Sequence, residues 1–210
     1  MKATIVQAGN EDMLRRAVEV LRGGGLIAFP TDTVYGVAAL PWDVDAVARL
    51  YVAKQRPKNL PIPLLLSSID QLSRVAALAP EFAPLAERFW PGGLTLVLPK
   101  TKVVPDVVSS GPTVAVRVPD LLLARDLIRQ AGGVLAVTSA NVSGRPSPVT
   151  AKEVKEHLSE RIDLIVDGGP CRGGVPSSLL DCTVSPPVLL RRGAISEEIL
   201  RSVVGLIKTS

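Results

Sequence analysis

GGGLIAFPTDTVYG, residues 23–36, is the stretch on which the reading of this chain turns. Three glycines stop whatever precedes them, and the apolar run 26–29 ends at Pro30. Four apolar residues fenced by glycine and proline have the pattern of a buried strand, which is covered on both faces and so needs no alternation. Pro30 delivers the chain to a polar turn, Thr31-Asp32-Thr33, before Val34-Tyr35-Gly36. Two hydroxyls and a carboxylate directly after a buried strand can orient a small polar substrate, or can bond their own backbone. The local sequence leaves both open.

Working outward, residues 11–21 carry Met13, Leu14, Ala17, Val18 and Leu21 at helical spacing, with Asn10 as the expected cap. Asp43 is the expected cap of a second helix through Ala46, Val47, Leu50 and Tyr51, whose end presents Lys54 and Arg56 before Pro57. Further strands are expected at 94–98, 113–118, 134–137, 164–166, 179–183 and 188–190, alternating with helices at 121–130 and 151–158. The fold class is therefore α/β. The 210 residues suit one domain, 1–210 with a core of about 10–200, and a second catalytic module is not expected. Hydrophobic residues make up 47% and aromatics 3%, so the interior must be built from Val, Leu, Ile and Ala. Polar and glycine-rich loops follow several strands, where open α/β sheets form their ligand crevices.

Composition narrows the function classes. The net charge of +4 and pI near 9.3 are compatible with a polyanionic ligand without demanding one. Cys171 and Cys182 have neither paired nor metal-ligand spacing, so a disulfide scaffold and a zinc site are not expected; no metal ligands are assigned. No apolar stretch reaches the roughly 18 residues of a membrane span, and the N-terminus lacks the pattern of a signal peptide, so a cytoplasmic location with no membrane partner is expected. His157, the only histidine, sits among Lys155, Glu156 and Glu160 on what reads as a solvated helix. Mechanisms needing a histidine base are disfavoured.

Four constellations could carry chemistry. The 30–36 turn is the first. Lys54-Gln55-Arg56 is the second: on an irregular or strand-like backbone the two cations would point the same way and suit phosphate oxygens, while a solvated helix end is the plainer reading. The third is Thr138-Ser139-Ala140-Asn141-Val142-Ser143-Gly144 after an expected strand, able to cradle phosphate or ribose or simply to form a cap or Asx turn. The fourth runs from Asp167 through Gly168, Gly169, Gly173 and Gly174 to Ser177-Ser178, glycines that let backbone approach a ligand. It is not a Walker loop, and no dinucleotide-binding glycine fingerprint opens a helix. Arg117 and Arg191 fall in or at the ends of apolar strands, so each is expected to have an anionic partner, structural or bound.

Taken in order, the strings FPTDTVYG (29–36), KQRPKN (54–59), WPGGLTLVL (90–98), VAVRVPD (114–120), TSANVSGRPSP (138–148) and VLLRRGAIS (188–196) resemble the YrdC-like threonylcarbamoyl-AMP synthase family, in its short single-domain form. The resemblance implies a twisted mixed β-sheet flanked by helices with a concave basic ligand cleft. It implies that L-threonine, bicarbonate and ATP, with Mg2+ on the phosphates, become threonylcarbamoyl-AMP and pyrophosphate, the first step of a tRNA modification. It further implies Lys54, Arg56, Ser139 and Asn141 as catalytic residues; Arg56, Thr113, Ser139, Ser147 and Arg191 at ATP; and Thr33, Arg117 and Ser177 at L-threonine. The implied partner is the tRNA threonylcarbamoyl transferase machinery.

Three departures stand out. Leu65 occupies the place of a histidine found in long members of the family, Pro176-Ser177-Ser178 replaces the usual Glu-Ser-Thr, and Arg191-Arg192-Gly193 replaces Arg-Pro-Gly. The C-terminal accessory domain of the long form is not expected. The alternatives are an RNA-binding module taking tRNA or double-stranded RNA, and a paralogue acting on another carbamoyl or acyl adenylate.

Overall fold

The computed structural model describes residues 2–9 and 11–209. In chain order the elements are β1 (Thr4–Gln7), α1 (Glu11–Arg22), β2 (Ile27–Phe29), β3 (Gly36–Ala39), α2 (Val44–Lys54), β4 (Leu64–Leu66), α3 (Leu72–Val75), α4 (Ala83–Phe89), β5 (Leu94–Pro99), β6 (Thr113–Arg117), α5 (Leu122–Gln130), β7 (Val134–Ser139), α6 (Ala151–Leu158), β8 (Leu164–Asp167), β9 (Ser178–Asp181), β10 (Val188–Arg191), α7 (Glu197–Val204) and β11 (Lys208–Thr209). All the described strands join one mixed sheet in the order β1-β8-β2-β3-β7-β4-β6-β5-β9-β10-β11.

Every helix and strand expected from the sequence is present, with ends displaced by a residue or two. Asn10, the expected cap of α1, lies outside the described residues. Asp43 caps α2 as expected, its carboxylate accepting from Ala46 N at 2.9 Å. Thr150 and Glu153 close a capping box on α6. The segments β1, β3, β4, α3, α4, α7 and β11 were not expected.

Side-chain alternation divides the core between the two faces of the sheet. Leu26 and Ala28 pack on one side with Val47 and Leu50 of α2, Leu85 of α4, Val154 of α6 and Leu200 of α7. Ile27 and Phe29 pack on the other with Ala17 and Leu21 of α1 and Leu127 and Ile128 of α5. Each fully buried aliphatic or aromatic side chain contributes on the order of 1.5–3 kcal/mol. The second face is covered unevenly. Helices α1 and α5 lie over β8, β2, β3 and β7, whereas β6 and β9 alternate buried with half-buried residues, the half-buried ones facing away from the main core. That less covered part of the sheet is where the candidate site lies.

Candidate functional site

A cleft of about 160 Å³ opens there, lined by Thr33, Arg56, Arg117, Ser139, Ser147, Ser177 and Arg191 among others. Seven of the residues the sequence singled out thus meet in one place, from turns and strands far apart in the chain.

Its floor is the 31–35 turn and Arg117. Thr31 donates to Val34 O (2.7 Å) and accepts from the backbone N–H groups of Thr33 (3.2 Å) and Val34 (3.3 Å). The turn reading holds for that residue. The Thr33 hydroxyl lies 3.0 Å from that of Thr31 and also accepts from Arg117 Nη1 at 2.8 Å, so it ties the turn to β6. The Arg117 guanidinium, 5% exposed, also donates through Nε to Gly92 O (2.8 Å) and through Nη2 to Asp32 Oδ1 (2.6 Å). Asp32 is therefore the anionic partner that burial of Arg117 requires. Burial pulls the guanidinium pKa down and Asp32 opposes it.

Arg191 arrives by a different device. Leu189 pairs with Leu180, but Arg191, not Leu190, pairs with Leu179, so the extra residue bulges out of β10. Without the bulge Arg191 would share the face of buried Leu189; with it the side chain turns to the cleft side. It donates to Ser177 O (2.9 Å) and Ser177 Oγ (3.1 Å), and Ser177 Oγ lies 2.7 Å from Thr95 Oγ1. Among the described residues Arg191 therefore meets neutral oxygens where Arg117 meets a carboxylate. Its pKa is lowered by burial first, then by Arg117 and Arg56. Arg56 likewise bonds neutral oxygens, Leu60 O at 3.0 Å and Pro61 O at 2.8 Å.

Lys54 and Arg56 do not point the same way. Helix α2 runs through Lys54, and Gln55 follows in the left-handed region at φ 51°, which turns the chain and separates the two cations. Arg56 goes to the cleft; Lys54, 1% exposed, goes to the interior and donates to the carbonyls of Ser139 and Asn141. Asn141 is likewise turned from the cleft, its amide donating to Val142 O (3.0 Å) and Arg145 O (2.6 Å). Thr113 shares the outer face of β6 with Arg117 but stands at the opposite end of the strand, about 13 Å away, and does not line the enclosed cleft. Of the glycines in the fourth constellation, Gly168 and Gly173 approach protein, whereas a Cβ on Gly169 or Gly174 would meet nothing within 4 Å; Gly173 N donates to Asp32 O at 3.0 Å, and a Cβ there would lie 2.7 Å from that same oxygen.

One contributor escaped the sequence reading. Thr95 is a buried polar residue inside LTLVL, and its place between Leu94 and Leu96, out of phase with the apolar face, was the available signal. Leu65, with Pro63, Val34 and Val137, makes an apolar wall. His157 lies on α6 beside a separate groove with its Nδ1 buried and unpartnered. Both cysteines are free thiols, pushed up to about 11 at Cys171 and about 12 at Cys182, chiefly by burial.

A mixed α/β sheet that gathers three guanidinium groups, one of them paired with a carboxylate, into a cleft edged by hydroxyls defines an α/β domain with a basic cleft, chemically suited to anions. The chain belongs to the Sua5/YciO/YrdC family, whose model, described as telomere recombination, matches residues 19–193. It is 47% identical over 197 residues to the threonylcarbamoyl-AMP synthase of Pyrococcus abyssi and 45% identical over 201 residues to that of Bacillus subtilis. These alignments cover 93% and 94% of this chain but 58% of each relative, so the chain spans less than two thirds of their length. The crystal structure of P. abyssi Sua5 complexed with L-threonine superposes with a TM-score of 0.93 at 44% identity, covering 100% of this chain and 63% of that one.

Proposed function

We propose that this domain makes threonylcarbamoyl-AMP and pyrophosphate from L-threonine, bicarbonate and ATP. The observation that carries the reading is the convergence of Arg56, Arg117 and Arg191 on one cleft with a carboxylate bound only to Arg117. That excess of fixed positive charge suits an amino-acid carboxylate together with a polyphosphate. Arg117, Thr33 and Ser177 hold threonine. Three of the five N–H groups of Arg117 are engaged within the protein, which leaves two for the substrate carboxylate. Arg56, Arg191, Ser139 and Ser147 face the nucleotide, and Thr113 extends that row along β6.

The amine nitrogen of threonine first bonds to the carbon of bicarbonate, a carbon–oxygen bond breaks, and water leaves with the proton released from nitrogen, giving the carbamate. A carbamate oxygen then attacks the α-phosphorus of ATP, the α–β bridging bond breaks, and pyrophosphate leaves with the electron pair. Arg56 and Arg191 neutralise charge accumulating on the leaving group, and positioning supplies much of the rest. No side chain need form a covalent bond to substrate. The charged groups of the cleft are anion ligands, and among the described residues no three His, Cys, Asp or Glu side chains cluster as a metal site. Magnesium would be held by the phosphate oxygens of ATP, whose charge it would neutralise. No described helix is long and apolar enough to cross a membrane; a need for ATP and free threonine suits a cytoplasmic reaction, with the tRNA threonylcarbamoyl transferase machinery as the consumer of the product.

Pyrophosphate release with ATP, magnesium and bicarbonate tests this, comparing L-threonine, L-serine and no amino acid, with the product identified by mass spectrometry. Threonine-dependent pyrophosphate and the adenylate are expected. Threonine-independent adenylate formation would favour the paralogue reading. A second reading, RNA binding, draws on the groove lined by Lys2, Arg145, Lys152, Lys155 and Arg161 with Glu156 and Glu160. Salt-dependent binding of tRNA or duplex RNA, with no turnover, would favour it.

A further inference from the structure

Lys54 raises a question that phosphate binding does not answer. A lysine 1% exposed is costly to bury, and among the described residues this one contacts no carboxylate: its Nζ donates to Ser139 O, to Asn141 O at 2.6 Å and to Asn141 Oδ1 at 3.4 Å. Three N–H bonds meet three acceptors, which is the full donor count of an ammonium. The backbone of the same residue is used as well, since Lys54 O accepts from Ser143 N at 2.8 Å. One residue at the end of α2 thus grips residues 139, 141 and 143, the loop whose first residue lines the cleft.

Resting on the reading of the cleft given above, we propose that Lys54 is a positioning residue that clamps the 139–143 loop to α2 and so fixes Ser139 for the nucleotide, rather than a ligand of phosphate.

Loss of the proton changes the clamp. A neutral amine keeps two donors and turns a lone pair toward the third acceptor. Desolvation, and then the charge of Arg56, lower the Lys54 pKa to about 7. Arg56, two residues on, is the charged group whose field reaches Lys54 from its own segment; the loop packed against it presents carbonyls and the Asn141 amide. A polyanion beside Arg56 offsets that charge and favours the ammonium, so nucleotide binding takes up a proton just above neutral pH.

The test is calorimetry of ATP binding with magnesium at pH 8, in buffers of different ionisation enthalpy, on the native chain and on Lys54→Met. The native chain is expected to take up a fraction of a proton and the variant none. The variant should also lose about a hundredfold in kcat/KM, as a misplaced active-site loop does, with the salt dependence of its ATP affinity unchanged, because no charge contact to the ligand has been removed. Failure of the native chain to bind ATP would refute the proposed function. ATP binding without proton uptake, or a salt dependence weakened by Lys54→Met, would overturn the clamp and restore a phosphate contact; the proton measurement on the native chain stands even where the variant does not fold.

Discussion

A single guanidinium, that of Arg117, joins two separate segments of the fold to the cleft. Its three internal hydrogen bonds run to Gly92, Thr33 and Asp32, in a fixed planar fork that a lysine cannot reproduce. Arg117→Lys is expected to lower kcat/KM for threonine about a hundredfold while the KM for ATP changes little; steady-state kinetics with each substrate varied in turn decides it, and equal loss for both would place Arg117 elsewhere in the reaction. The chemistry of such residues was readable from the sequence, because strings like FPTDTVYG and VAVRVPD carry their identities and order. Their direction was not. Lys54 and Arg56 part because Gln55 takes a left-handed conformation uncommon outside glycine, asparagine and aspartate, and nothing in Lys-Gln-Arg announces it.

Among the elements, those with a clear period or a strong fence were legible, and those defined only by their neighbours were not. Strand β3 is Gly-Val-Ala-Ala, buried throughout, and β4 is three leucines; neither shows an alternation, since neither has a wet face. The bulge in β10 is equally silent in the sequence, although it decides where Arg191 points. Within the glycine-rich segment, at least one glycine is required by the protein itself. Gly173 is small so that the segment can lie against the backbone of Asp32 and Thr33. Gly173→Ala should therefore cost about 1–3 kcal/mol and displace the turn that carries Thr33. Denaturant unfolding measures the first effect and the KM for threonine the second. An unchanged KM would mean that the turn holds its place without this contact.

For the molecule as a whole, a buried ammonium makes stability depend on pH. The Lys54 pKa falls from an ordinary 10.5 to about 7 in the folded chain, so between those values the unfolded chain binds more protons. The contribution of Lys54 is most unfavourable below about pH 7 and is relieved as pH rises toward 10.5. Above about pH 9 the thiols act in the opposite sense, because Cys171 and Cys182 ionise more readily once exposed. Urea unfolding of the native chain and Lys54→Met should accordingly show a stability gap that changes between pH 7 and 9 in favour of the native chain; a constant gap would contradict the buried titration.

The uneven cover over the second sheet face sorts the cleft into two kinds of wall. Thr95, Arg117 and Val137 belong to strands locked in register with their neighbours, whereas Thr33, Arg56, Ser147 and Ser177 belong to connecting segments. Insertions or substitutions in those connections can reshape one side of the cavity without disturbing the pairing that builds the other. A lineage carrying this domain can therefore change what it accepts on the loop side while the strand side stays fixed, so divergence in specificity is expected to accumulate asymmetrically across a single binding site.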